Sequence, residues 1–86
     1  MMQCADHDYV EVACLYGYRI QLQLKDQQIV SGYALTTTYQ AANDGSDDKV
    51  EVLKIQTEQQ IVAIALSEIS VLTAITKNRF FDVVTF

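Results

Sequence analysis

The sequence predicts a mainly β fold of the α+β class: one N-terminal helix followed by a strongly bent antiparallel sheet of five or six short strands. Three observations predict it. Residues 18–25 alternate apolar and polar side chains with a period of two, the pattern of a strand buried on one face. Further short apolar runs follow, separated by polar breaks of a few residues and not by helical stretches. Only residues 4–17, ahead of them, carry helix start and stop signals.

The helix is read from its ends. Asp8 followed three residues later by Glu11 fits a capping box with Asp8 as N-cap, each carboxylate satisfying a free backbone donor. Asp6 and Asp8 also complement the positive end of the helix dipole. Gly17 suits the position after the helix, where a left-handed backbone costs glycine least. Val10, Ala13 and Cys14 recur at i, i+3 and i+4 and predict the buried stripe, with Glu11 pointing away from it. Val10 and Val12 are β-branched, so propensity alone would not hold this helix.

In the first strand Tyr18, Ile20, Leu22 and Leu24 form the buried face; Arg19, Gln21, Gln23 and Lys25 form the other. Residues 25–28 make a polar turn. Residues 29–37 read as a second strand, in which Gly32 marks a bulge or a sharp bend. Residues 38–48, rich in Asn, Asp, Gly and Ser, read as a loop. The third strand, 49–57, changes phase: Val50 and Val52 lie on one face, Leu53 and Ile55 on the other. A bulge or burial on both faces produces such a pattern. After a turn at Glu58 and Gln59, residues 61–66 are apolar throughout and predict a central strand. Ser67 and Glu68 interrupt it, and 69–75 form a fifth strand. Residues 80–86, after a polar break, are either a last short strand or an apolar tail. The sheet can bend into a small barrel. An OB-fold is the nearest alternative, but it usually places a helix between strands, where no helical pattern occurs. Eighty-six residues predict one domain spanning 1–86.

Charge narrows the function. The net charge is −5 and the pI about 4.5. The basic residues Arg19, Lys25, Lys49, Lys54, Lys77 and Arg79 are scattered singly, which argues against a domain built to grip nucleic-acid phosphate. An acidic surface suits a basic partner and speeds the encounter. Two cysteines, Cys4 and Cys14, are too few for a secreted disulfide scaffold. With no signal-peptide pattern and no run of about 18 apolar residues, the expectation is a reduced cytoplasmic protein away from membranes.

No catalytic chemistry is legible. His7 is the single histidine, and its neighbours Cys4, Asp6, Asp8 and Cys14 match no zinc spacing. No phosphate-binding or dinucleotide-binding glycine motif occurs, and no serine sits in a nucleophile context. The expectation is a non-enzyme with no metal site and no cofactor. Two acidic clusters remain: Asp6, Asp8 and Glu11, and Asp44, Asp47 and Asp48 with Glu51 beyond them. Either is a solvated surface or a binding face. Tyr9 and Tyr16 suit an interface, or packing over the sheet edge.

Several motifs resemble one family. They are the Cys-x-x-x-Asp start at Cys4 to Asp8, the Glu-hydrophobic-Ala-Cys tetrad at Glu11 to Cys14, the Leu-x-Leu-Lys-Asp end of the first strand at Leu22 to Asp26, and Leu66-x-x-Ile69. Together they resemble the Rof (YaeO) family, bacterial inhibitors of the transcription terminator Rho. The likeness covers most of the chain, is densest in the first 26 residues and thins across 36–48. Ala5 and His7 depart from enterobacterial members, which often have an acid and a tyrosine there. The resemblance implies an Sm-like fold. It implies an antiterminator that occupies the primary RNA-binding site in the N-terminal domain of Rho and excludes RNA. Carried over residue by residue, Asp6, Asp8 and Glu11 would supply charge there, with His7 and Tyr9 as contact surface beside them. Direct nucleic-acid binding is not expected, and a monomer is favoured. The rival readings are an Sm-like module that binds RNA through Arg19, Gln21, Gln23 and Lys25, and a structural oligomer joined at strand edges.

Overall fold

The structure, a computed structural model, describes residues 4–41 and 48–86, with side chains from His7 onward. The side chains of Cys4 and Asp6, and loop residues Asp44 and Asp47, lie outside the described residues. Helix α1 (Cys4–Tyr16) precedes six strands: β1 (Arg19–Leu24), β2 (Ile29–Ala41), β3 (Lys49–Gln56), β4 (Ile61–Ala65), β5 (Ile69–Ala74) and β6 (Val83–Thr85). All strand pairs are antiparallel, in the order β4-β3-β2-β1-β5-β6. The sheet is open, with β4 and β6 at its edges.

The helix starts earlier than its carboxylates suggested. Asp8 stands in its second turn, not at its N-cap, and the Glu11 carboxylate turns to His7. What holds the helix is burial: Val10 and Ala13 are almost fully covered and join one core with β1, β3 and β5. Covering a valine contributes about 2 kcal/mol, enough to outweigh a weak local propensity. The C-terminus matches the glycine signal. Gly17 has φ +62°, its N–H donates to Cys14 O at 3.2 Å, and the Tyr18 N–H donates to Ala13 O at 2.9 Å. This pair of hydrogen bonds closes the last turn in a Schellman motif.

β1 is central, and its alternation is seen directly: Ile20 and Leu22 are fully buried, Arg19 and Gln23 exposed. Its hairpin to β2 closes with Leu24 N–H on Gln28 O and Gln27 N–H on Leu24 O, and the Asp26 carboxylate accepts from Gln28 N–H. Gln27 sits at φ 75°, the sole non-glycine with positive φ among the described residues. Gln27→Gly is therefore expected to stabilise the protein by about 0.5–1 kcal/mol, because glycine reaches that backbone without a Cβ clash. A rise in melting temperature of about 4 °C in a thermal scan would confirm it, and a fall would refute it.

β2 is longer than the sequence suggested and runs through Thr38 to Ala41, expected as loop. Those polar residues pair with Lys49 to Val52 of β3, and the ladder satisfies their backbone whatever their side chains prefer. Ile29 to Tyr33 pair with β1, whereas Tyr33 to Ala41 pair with β3. β2 thus changes partner at Tyr33, and a register shift follows between Ala34 and Thr36. Gly32 lies at the change. A Cβ there would overlap the Gln56 backbone carbonyl and Ile55 Cγ2. In β3, Val52 and Leu53 are both buried, so the phase change marks a strand covered on both faces.

β4 is not central but an edge strand, and none of its residues is fully buried. Its apolar run resembles a doubly covered strand, yet the chain leaves it through a 3₁₀ turn at Leu66–Glu68 and places β5 beside β1. The tail is a strand: Val83–Thr85 pair with β5, burying Val84.

Candidate functional site

The sequence-predicted residues all lie on α1, and the structure divides them among three directions. Asp8 and Glu11 are exposed and i, i+3 neighbours on the outward side of the helix. Leu15 continues that ridge one turn further and is 75% exposed. His7 faces β3 instead. Its Nε2 lies 2.9 Å from Glu51 Oε1 and its Nδ1 3.3 Å from Glu11 Oε1. Protonated, this imidazole donates to both carboxylates at once; neutral, it can donate to one. His7 thus ties the acidic ridge to the sheet, joining residues 44 positions apart. Tyr9 turns to the tail, half-buried, with its ring 5.3 Å from that of Phe81. Asp6 lies on the same helix, and its side chain is outside the described residues. Of the second acidic cluster, Asp48 is exposed just ahead of β3, and Glu51 is the partner of His7.

Sequence reasoning missed an aromatic column at the other end of the helix. Tyr16 stacks on Tyr18 at 5.7 Å and 20°, and on Phe80 at 5.7 Å and 16°. The Arg79 guanidinium lies 5.5 Å from the Phe80 ring. Asn78 makes this possible. Its side-chain carbonyl accepts from the Phe80 and Phe81 N–H groups at 2.8 and 3.1 Å, and its amide donates to Thr76 O. That Asx turn aims Phe81 into the core beneath Tyr9 and Tyr18 and sets Phe80 beside Tyr16. The adjacent pair Phe80-Phe81, two residues after an asparagine, was the available signal.

Cys14 is a free thiol, half-buried beside the core. Burial, with the Glu11 carboxylate adding to it, pushes its pKa from 9.0 up to about 11. The thiolate is the reactive form, so alkylation of Cys14 at pH 8 is expected to run about 100-fold slower than for an unfolded cysteine. Because the folded pKa is the higher one, stability falls as pH rises from about 9 to about 11. Timed alkylation of a Cys4→Ser variant checks this; labelling at the unfolded rate would refute it.

The outward side of β1 carries Arg19, Gln21 and Gln23, and Arg19 stands beside Tyr33 in register. Arg19 and Tyr33 border an open groove of about 680 Å³ whose other wall is the β3–β4 turn, including Glu58. Among the described residues, no group of three His, Cys, Asp or Glu side chains is placed to hold a metal ion. Among the same residues, no helix is long and apolar enough to cross a membrane.

Comparison with known proteins adds the following. Residues 1–86 match a family model described as modulator of Rho-dependent transcription termination (ROF). No curated protein gives a significant match. Among solved structures, the chain is similar to YaeO bound to magnesium from Vibrio cholerae O395. The TM-score is 0.77 at 24% identity, covering 92% of this chain and 95% of that one. At that identity the likeness speaks to the fold, a helix followed by the antiparallel sheet described above.

Proposed function

The chain belongs to the ROF family of modulators of Rho-dependent transcription termination, and from that premise we propose that it is an antiterminator that binds Rho and blocks RNA. Its target is the primary RNA-binding site in the N-terminal domain of Rho. One observation carries the reading: Asp8 and Glu11 stand exposed on a helix pinned to the sheet, on a chain of net charge −5. A site that receives RNA phosphates presents basic groups, and fixed carboxylates can occupy them. Asp6, on the same helix, adds a third carboxylate. His7 holds the ridge to β3 and borders the contact, and Tyr9 supports it from the tail side. The protein then acts as a competitor and needs no catalytic group or cofactor.

The test is competition. Increasing amounts of this protein should displace labelled cytidine-rich RNA from Rho, less effectively as salt rises. RNA that stays bound at saturating protein would sink the proposal. Direct RNA binding is the second reading, favoured by Arg19 and Tyr33 at the groove. Glu58 on the opposite wall opposes it, and a gel shift with the isolated protein separates the two.

A further inference from the structure

The acidic ridge ends in an exposed apolar group that charge does not explain. Leu15 is 75% exposed, Tyr16 57% and Phe80 40%. Exposed apolar side chains gathered in one place mark interaction surfaces more often than isolated ones do. Leu15 lies on the ridge of Asp8 and Glu11, four residues past Glu11. Tyr16 carries the surface on to the tail through its stacked contact with Phe80.

Resting on the function proposed above, we infer that Leu15, Tyr16 and Phe80 are the apolar half of the same docking surface. They meet an apolar contact on the basic protein surface that receives Asp8 and Glu11. Two arguments fix that occupant. The first is continuity. Asp8 and Leu15 are separated by about 10 Å along one helix, so a protein lying on the carboxylates reaches Leu15 within a single interface patch. The second is the state of the rings. A nucleic-acid base needs a free ring face to stack on. Phe80 already contacts Arg79 and Tyr16, and Tyr16 already contacts Phe80 and Tyr18. These contacts already occupy part of each ring, and the exposed surface beside them includes the aliphatic Leu15, which protein side chains pack against. The adjacent carboxylates also repel phosphate. Because the rings hold one another in place, little side-chain freedom is lost on docking.

Leu15→Ser and Phe80→Ser, each in the full chain, test this by binding to intact Rho across a salt series. Each substitution is expected to weaken binding about tenfold or more, as loss of an apolar anchor does. The salt dependence should stay that of the unsubstituted protein, since no charge is removed. Leu15→Ser keeps the test sound if Phe80→Ser loosens the tail, because Leu15 faces solvent and its loss should leave the melting temperature unchanged. Failure of the unsubstituted protein to bind Rho would overturn the function on which this rests. Normal binding by both variants would overturn this inference and leave that function standing. Two other results would also overturn it. One is a dimer of the unsubstituted protein that either substitution splits in light scattering. The other is oligocytidine binding by the isolated protein that Phe80→Ser abolishes.

Discussion

Gly32→Ala is expected to destabilise the protein by about 3 kcal/mol or more, lowering the melting temperature by about 12 °C at least. The cause is contact with backbone. An alanine Cβ at this position would overlap the carbonyl of Gln56 and Ile55 Cγ2. A side chain could rotate aside, but the carbonyl belongs to β3 and can move only with the strand. Gln56 is also the register partner of Tyr33, where β2 passes from β1 to β3. Relief therefore means opening the ladder where β2 passes from one partner to the other. Gly17→Ala is the contrasting control. Nothing lies within 4 Å of a Cβ there, and its strain comes from φ +62° alone. That substitution should cost only about 1 kcal/mol. Thermal or urea unfolding of both variants checks the pair. Equal losses would show that close approach is not what Gly32 provides.

Asp8→Lys combined with Glu11→Lys is expected to weaken binding to Rho about 100-fold, roughly tenfold for each reversed charge. Both residues are exposed, and neither contributes to the core, so the fold should remain. Glu11→Lys does remove one contact of His7, but the 2.9 Å bond to Glu51 stays and keeps α1 on β3. The residual binding should depend less on salt, because fewer charge contacts are formed. Unchanged circular dichroism with undiminished binding in a pull-down would remove the ridge from the interface. Weakened binding with an altered fold would call for the single substitutions.

How much was legible varies by element, for a physical reason in each case. Gly17 and the stripe of Val10 and Ala13 were read correctly because a helix end and a helix face are set by neighbours a few residues away. β1 was read correctly because a strand covered on one face alternates strictly. The Asp8 cap failed because a motif that can close a helix start does so only if the helix begins there, and this helix begins at Cys4. β4 was placed at the centre because an apolar run shows affinity for cover, not which strands lie on either side. Thr38 to Ala41 have the composition of a loop because ladder pairing is a property of two strands, and the partner Lys49 to Val52 lies outside the local sequence.

The candidate site divides in the same way. The sequence by itself determined the acidic character of the first helix, the chain's negative charge and the motifs at Glu11 to Cys14 and Leu22 to Asp26 that indicate the family. Only the tertiary structure decided which way each of those side chains faces. It left Asp8 and Glu11 outward, drew His7 to Glu51 across 44 residues, and set Tyr9 on Phe81 and Tyr16 on Phe80. Composition and local motifs are properties of the chain in any conformation. A direction in space depends on residues distant in sequence that only folding brings together.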